Sequence, residues 1–310
     1  MGRRYWGFGL FVLAVASFAP AVRADDWAAC RNSNPDVRIF GCTAIIDART
    51  DTKENITNAY ISRGNAHDEK GEYDRAIGDY DKAIALDPKI ANAYFNRGVA
   101  HYNKGKYDSA IKDFSKTIAL KPKYADAYYG RGNAYYNVGK HDRAIKNYDT
   151  AIALNPKYAL AYGNRGLAYS NKSEYDRAIK DYDKAIALNP KNVGAYNDRG
   201  NAYDNKGEYE RAIKDYDKAI ALNPKYTWAY NNRGTAYYRK GEYDRAIDDF
   251  DKAIILNPKY GPAYYNRGLA YEQQGNKQPA ETDYQKALML LPGNETIIAA
   301  LQKLKAASAE

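Results

Sequence analysis

The chain has 310 residues, 45% apolar and 27% charged, a balance that excludes a disordered chain and a bulk membrane protein and leaves ample apolar mass for a core. Formal net charge is +9, but Arg3, Arg4 and Arg23 fall in a leader, and the remaining +6 is dispersed along the chain, so no nucleic-acid partner is predicted. Tyrosine is over-used, 32 against 7 Phe and 2 Met, which points to one aromatic type recurring at a fixed position.

Residues 1–24 combine a basic start, an apolar run from Gly7 to Phe18, and a small-residue end at Val22 and Ala24. They read as a signal peptide, with the mature chain starting near Asp25 and residing in the periplasm or outside the cell. The apolar run is too short to span a membrane comfortably and later segments are polar, so no integral membrane segment is expected after leader removal; envelope association stays open. Ordinary secretion is the reading, because Tyr5-Trp6-Gly7 does not continue Arg3-Arg4 as a twin-arginine signal would. Trp27 and the acidic Asp25-Asp26 argue against a lipoprotein box at Cys30.

Residues 25–56 form an N-terminal cap. Asp25 to Asp47 read as a degenerate half-unit whose Ile39, Cys42, Ile45 and Ile46 make a short apolar face. Cys30 and Cys42 are the only cysteines, and in an oxidising compartment an even pair at this spacing is expected to form a disulfide. The competing readings are a two-cysteine metal site, which lacks nearby His partners, and two buried thiols.

From there the sequence matches itself at a shift of 34. Gly recurs at 64, 98, 132, 166, 200, 234 and 268, and Pro at 88, 122, 156, 190, 224, 258 and 292. In 91–124 the first half places Ala93, Tyr94, Ala100 and His101 at helical spacing and stops at Gly105. The second puts Ala110, Ile111, Phe114 and Ile118 on one face and ends before Pro122. Each unit is therefore predicted to be a helical hairpin. Gly98 sits mid-helix, where it costs about 1 kcal/mol against Ala, and its recurrence predicts close approach of the second helix. One hairpin cannot bury its own apolar faces, so seven stack.

These marks resemble the tetratricopeptide repeat family, carried in the fourth copy by Tyr162, Gly166, Tyr169, Ala178, Tyr182, Ala185 and Pro190. The resemblance spans 57–292 and implies an all-α fold: a right-handed superhelical solenoid of seven TPR hairpins with N- and C-terminal caps. Residues 293–310 supply the C-terminal cap, a helix with Ile297, Ile298, Leu301 and Leu304 on one stripe and a tail expected to fray from Ala306. The chain departs from the family in having Arg before the repeated Gly in all seven copies, Thr117 for Ala, Ser173 for the hairpin Gly, and Lys277 and Pro279 in a weaker last copy.

Catalytic chemistry is not predicted. His67, His101 and His141 occupy repeat phases elsewhere held by Tyr and read as packing substitutions; no nucleophile elbow, phosphate loop, dinucleotide fingerprint or metal-ligand spacing occurs. No cofactor and no metal are expected. The paired acids, such as Asp181 and Asp183, recur with the repeat and point to different helix faces. The Arg series (Arg63, Arg97, Arg131, Arg165, Arg199, Arg233, Arg267) has two readings. One is a ladder with Asp79, Asp113, Asp181, Asp215, Asp249 and Asp283, with Asn147 in copy three, and this is the reading favoured; the other is a basic stripe that captures acidic ligands.

By the resemblance, the inner groove is lined by the second, fifth, sixth, ninth, twelfth and thirteenth places of each unit. Asn96, Asn164, Asn232 and Asn266 hold the sixth place, with Ser62, Gly130 and Asp198 in the other copies. Asn133, Asn197, Asn201 and Asn231 stand nearby, Tyr102, Tyr129, Tyr136, Tyr238 and Tyr265 offer aromatic platforms, and Trp228 is the one outsized apolar group. Asparagine offers both donors and acceptors to a peptide backbone, and Trp and Tyr are common anchors. The expectation is a non-enzymatic scaffold holding an extended peptide or partner protein; a carbohydrate or cell-envelope polymer binder is the alternative. The plain alternative to both is that Asn and Tyr recur with the repeat and bind nothing in particular. The basic clamp with which TPR co-chaperones hold acidic tails is absent, since the corresponding places hold residues such as Asn92, Phe95, Asp126 and Tyr129.

Overall fold

Each repeat breaks its helices at two points. The peptide before each Pro is pushed out of the helical region, so the second helix ends at a residue such as Asn189, φ −139° and ψ 86°. Between the helices, Gly71, Gly105, Gly139, Gly207, Gly241 and Gly275 hold φ values of 73–79°, which only glycine adopts freely; in the fourth copy Ser173 takes φ 60° instead.

A computed structural model describes residues 22–309, and among these every regular element is a helix. Residues 1–21, most of the proposed leader, lie outside the described residues. The chain divides into two units that meet between Pro122 and Lys123.

The first unit holds α1 (Ala24–Cys30), α2 (Pro35–Ala48), α3 (Lys53–Glu69), α4 (Tyr73–Leu86), α5 (Ala91–Asn103) and α6 (Tyr107–Leu120). Its cap is two helices rather than a half-unit. Cys30 and Cys42 are disulfide-bonded and buried together with Ile45, Ile46 and Ala59, whereas Ile39 is only partly covered. The Ser62 hydroxyl donates to the Cys30 carbonyl at 2.8 Å and the Trp27 indole to Asp51 at 3.0 Å. The helix α3 starts at Lys53, inside the stretch assigned to the cap, because Thr52 caps it through the Asn55 N–H and no proline stands before it. Reducing the disulfide is expected to weaken docking of the cap by roughly 2–3 kcal/mol. Hydrogen exchange should then speed up in 24–48 relative to α4–α6; unchanged protection there would show that packing alone holds the cap.

The second unit holds α7 (Ala125–Asn137), α8 (His141–Leu154), α9 (Ala159–Asn171), α10 (Tyr175–Leu188), α11 (Val193–Asn205), α12 (Tyr209–Leu222), α13 (Thr227–Arg239), α14 (Tyr243–Leu256), α15 (Gly261–Gln273), α16 (Lys277–Leu290) and α17 (Glu295–Ala309). Helix α17 closes the last hairpin with Ile297 and Leu304 buried against Ala280, Tyr284 and Ala287, and it stays helical through Ala306 to Ala309.

Within a hairpin, buried alanines bring the two helices close, and the repeated glycine faces an aromatic ring of the second helix. A Cβ at Gly200 would stand 2.6 Å from the Tyr216 ring, and at Gly98 2.9 Å from Phe114, so the predicted close approach is present. Successive first helices touch one another (α7 with α9, α9 with α11, α11 with α13, α13 with α15), so within this unit they crowd one side of the stack.

The Arg series is the ladder. Arg199 donates from Nε and Nη2 to both oxygens of Asp215 at 2.7 and 2.6 Å, and from Nη1 to Asp183 of the preceding second helix at 2.5 Å. The same triad recurs at Arg97, Arg165, Arg233 and Arg267, which also explains the spacing of the paired acids. Arg131 donates to Asn147 instead. A tyrosine three places before each of these arginines lies under the guanidinium, 5.5 Å from ring to carbon for Tyr94 and Tyr162.

Candidate functional site

Within each unit the fifth and ninth places of one first helix meet the sixth place of the next first helix, and the structure joins them into an amide ladder. The Asn232 Nδ2 donates to Asn197 and Asn201, both at 3.0 Å. Asn164 donates to the Tyr129 hydroxyl and to Asn133, and Asn266 to Asn231 and Thr235. In the first unit Asn96 donates to Asn65 at 2.8 Å. The second helix supports the ladder from below: the hydroxyls of Tyr80, Tyr148 and Tyr216 each donate at 2.8 Å to the ninth-place amide, Asn65, Asn133 or Asn201.

This changes what the ladder offers. Sequence alone predicts donors and acceptors for a peptide, but in copies four, six and seven the sixth-place amide hydrogens are turned onto the preceding helix. Among the described residues the carbonyl oxygens of Asn96, Asn164 and Asn266 accept no hydrogen bond, whereas that of Asn232 accepts from the Asn231 amide at 3.3 Å, so the ladder's open groups are acceptors. Asn197 and Asn231 are buried, 5% and 6% exposed, and serve as supports.

The aromatic candidates keep an open edge. Trp228 is 55% exposed, with Tyr226 edge-on at 5.3 Å. Tyr129 packs against Tyr158 at 4.9 Å, Tyr238 against Tyr243 at 5.6 Å and Tyr265 against Tyr284 at 5.8 Å, while in the first unit Tyr102 meets Tyr107 at 5.4 Å. The Tyr136 hydroxyl accepts from Asn171 at 2.6 Å. Burial raises the phenols of Tyr136, Tyr238 and Tyr265 above the ordinary value, so they stay protonated and act as hydrogen-bonding groups.

The sequence reading places Asp198 and Asp126 in the groove but gives the acidic side chains of these helices no role. Asp204 and Glu272 hold the twelfth place of their copies, Asp198 the sixth and Asp126 the second. Asp204 is buried and pairs with Arg239, and burial raises its carboxyl above the usual range. Asp126 accepts from the Tyr158 hydroxyl at 2.7 Å, and Glu272 from Tyr284 at 2.6 Å. Each occupies a place where most other copies carry a neutral residue, Asp68 being the third acid at the twelfth place, and that was the signal available. Among the described residues, no three His, Cys, Asp or Glu side chains converge as a metal site, and His67 is held by Glu72 at 2.7 Å.

Family models described as TPR repeat match residues 64–105, 102–139 and 205–241, and models described as tetratricopeptide repeat match 129–193, 181–214, 227–260 and 261–294. No curated protein matches the sequence. The structure is similar to a tetratricopeptide repeat protein from Parabacteroides merdae, with TM-score 0.66 and 23% identity over 80% of this chain and 98% of that one. It is also similar to a chain of the APC/C hetero-tetramer Cut9–Hcn1, with TM-score 0.65 and 22% identity over 87% of this chain; the match spans 52%, about half, of that longer chain. MamA is 34% identical with TM-score 0.50, over 52% of this chain and 95% of its own.

Proposed function

Because the chain belongs to the tetratricopeptide repeat family, a fold of protein-interaction scaffolds, we propose that it works without catalysis and holds an extended segment of a partner protein along its first helices. The observation that carries this reading is the pairing, in one unit, of an amide ladder whose Asn164 and Asn266 oxygens stay open with the exposed Trp228 and the tyrosine edges. An extended backbone presents its N–H groups to such acceptors whatever its side chains, and Trp and Tyr anchor it.

The same reading places the protein outside the cytosol, in the periplasm or beyond. The Cys30–Cys42 disulfide supports this, and no described helix is long and apolar enough to cross a membrane. The test is a pull-down from envelope extract with the wild-type chain and a Trp228→Ala, Asn232→Ala, Tyr238→Ala variant that keeps its helical circular dichroism. A partner captured by the wild type should bind through an extended segment, and a peptide of that segment should lose at least about tenfold in affinity to the variant. Equal binding to both proteins would remove the groove from consideration.

A further inference from the structure

We propose that the groove of the second unit contains a cation-selecting subsite at Asp198 that takes the ammonium or guanidinium group of a Lys or Arg side chain on the bound segment. This rests on the groove reading above and adds to it a side-chain preference that the amide ladder cannot supply.

The ladder is interrupted at one junction. Asp198 holds the sixth place of its copy, and the fifth and ninth places that the sixth-place side chain meets in the preceding copy are Gly163 and Leu167, neither of which has a polar side chain. A Cβ at Gly163 would meet nothing within 4 Å, so the space that Tyr129, Asn197, Asn231 and Tyr265 fill in their copies is open here. Asp198 is half-buried and receives one hydrogen bond, from the Asn197 amide at 3.2 Å. Burial raises its carboxyl above the usual range, and no Lys or Arg figures among the groups that act on it. Its charge is felt by the phenols of Tyr136, Tyr182, Tyr216 and Tyr226.

A second polar group is weakly held at the same junction. Tyr182 is 1% exposed, and its buried hydroxyl makes no hydrogen bond of normal geometry, with Ser170 beside it. The equivalent hydroxyls of Tyr148 and Tyr216 reach the ninth-place amide, which Leu167 replaces here. Where the ninth place is Val99 or Thr235 the ring is Phe114 or Phe250, and over Leu269 the Tyr284 hydroxyl turns to the twelfth-place Glu272, whose counterpart here is the shorter, uncharged Ser170. A carboxylate taken partly out of water with no cation beside it is costly, and the Tyr182 hydroxyl has only a poorly formed contact with Ser170. One basic side chain entering the opening over Gly163 donates to both, and the tyrosine rims favour a cation there. An acidic side chain is repelled, and a neutral one leaves the carboxylate uncompensated.

The test uses the full chain and dodecapeptides of random uncharged sequence in which one position is Lys, Arg, Ala or Glu, with binding followed by fluorescence polarisation. Wild type is expected to prefer Lys or Arg over Ala by about tenfold at one position. Asp198→Asn removes the charge and Gly163→Asn fills the opening while keeping it; both should lose that preference and still bind the Ala peptides. Asp198→Asn should also melt no lower than wild type, since it deletes an uncompensated charge, and this separates loss of selectivity from loss of fold. A preference that survives Asp198→Asn, or Ala peptides bound as well as Lys peptides by wild type, overturns the subsite and leaves the groove reading standing. Binding of no peptide by any of the three proteins overturns both.

Discussion

Tyr216→Ala is expected to lower the stability of the second unit by about 3–5 kcal/mol, the range for emptying a buried aromatic site. The ring is 1% exposed and lies against Gly200, whose missing side chain is what admits it, so the helices cannot close over the void without moving as rigid pieces. The change also strips a donor from Asn201, which stays bonded to Asn232. Tyr216→Phe removes only the hydroxyl and should cost about 1 kcal/mol, because Asn201 keeps that one donor. Stacked repeats need not unfold all at once, so the measurement is hydrogen exchange across α11–α13 alongside urea unfolding. Equal losses for the two variants would show that the hydroxyl, and not the packing under Gly200, holds the hairpin together.

The second large effect concerns the Arg–Asp ladder. Arg199→Met leaves Asp215, 6% exposed, without its guanidinium and is expected to cost about 3–5 kcal/mol. Replacing both partners, Arg199→Met with Asp215→Leu, should recover most of that loss, because an apolar pair leaves no buried charge behind. Asp215 holds the guanidinium above its ordinary value, which is the same stabilisation seen from the other partner. A double variant as unstable as the single one would instead assign the cost to the link that Arg199 makes to Asp183 in the preceding hairpin.

Where the fold was legible in the sequence, the reason is repetition. Seven copies of Gly, Pro and Arg in phase fix the hairpins, and the recurrence of Arg with Asp pointed to the ladder before any distance was known. The second contact of each arginine was less visible. Asp183 belongs to the hairpin before Arg199, and a periodic pattern does not say which copy a partner comes from. The cap was underread for the same reason: α1 has no counterpart in the repeat, so Ala24–Cys30 gave no periodic signal. In the groove, residue types and places could be read off, but not the direction of each amide. Asn232 looks the same in sequence whether it donates to a ligand or to Asn197 and Asn201; only the spacing of neighbouring first helices decides that. The exception in the pattern, Asp198 over Gly163, was more informative than the rule it breaks.

The two caps also bear on how copies of the chain could meet. Within each unit the second helix of one hairpin packs on the first helix of the next, so a bare end would present a face shaped to fit another hairpin. Such faces add head to tail without closing, and the product is a filament rather than a defined oligomer. At one end Ile297 and Leu304 occupy the exposed face of the last hairpin, and at the other the disulfide-bonded pair of short helices covers Ala59. One of these two covers is fastened by a bond that a reductant can open, so reduction of Cys30–Cys42 is expected to uncover the face at Ala59 as well as to loosen the cap.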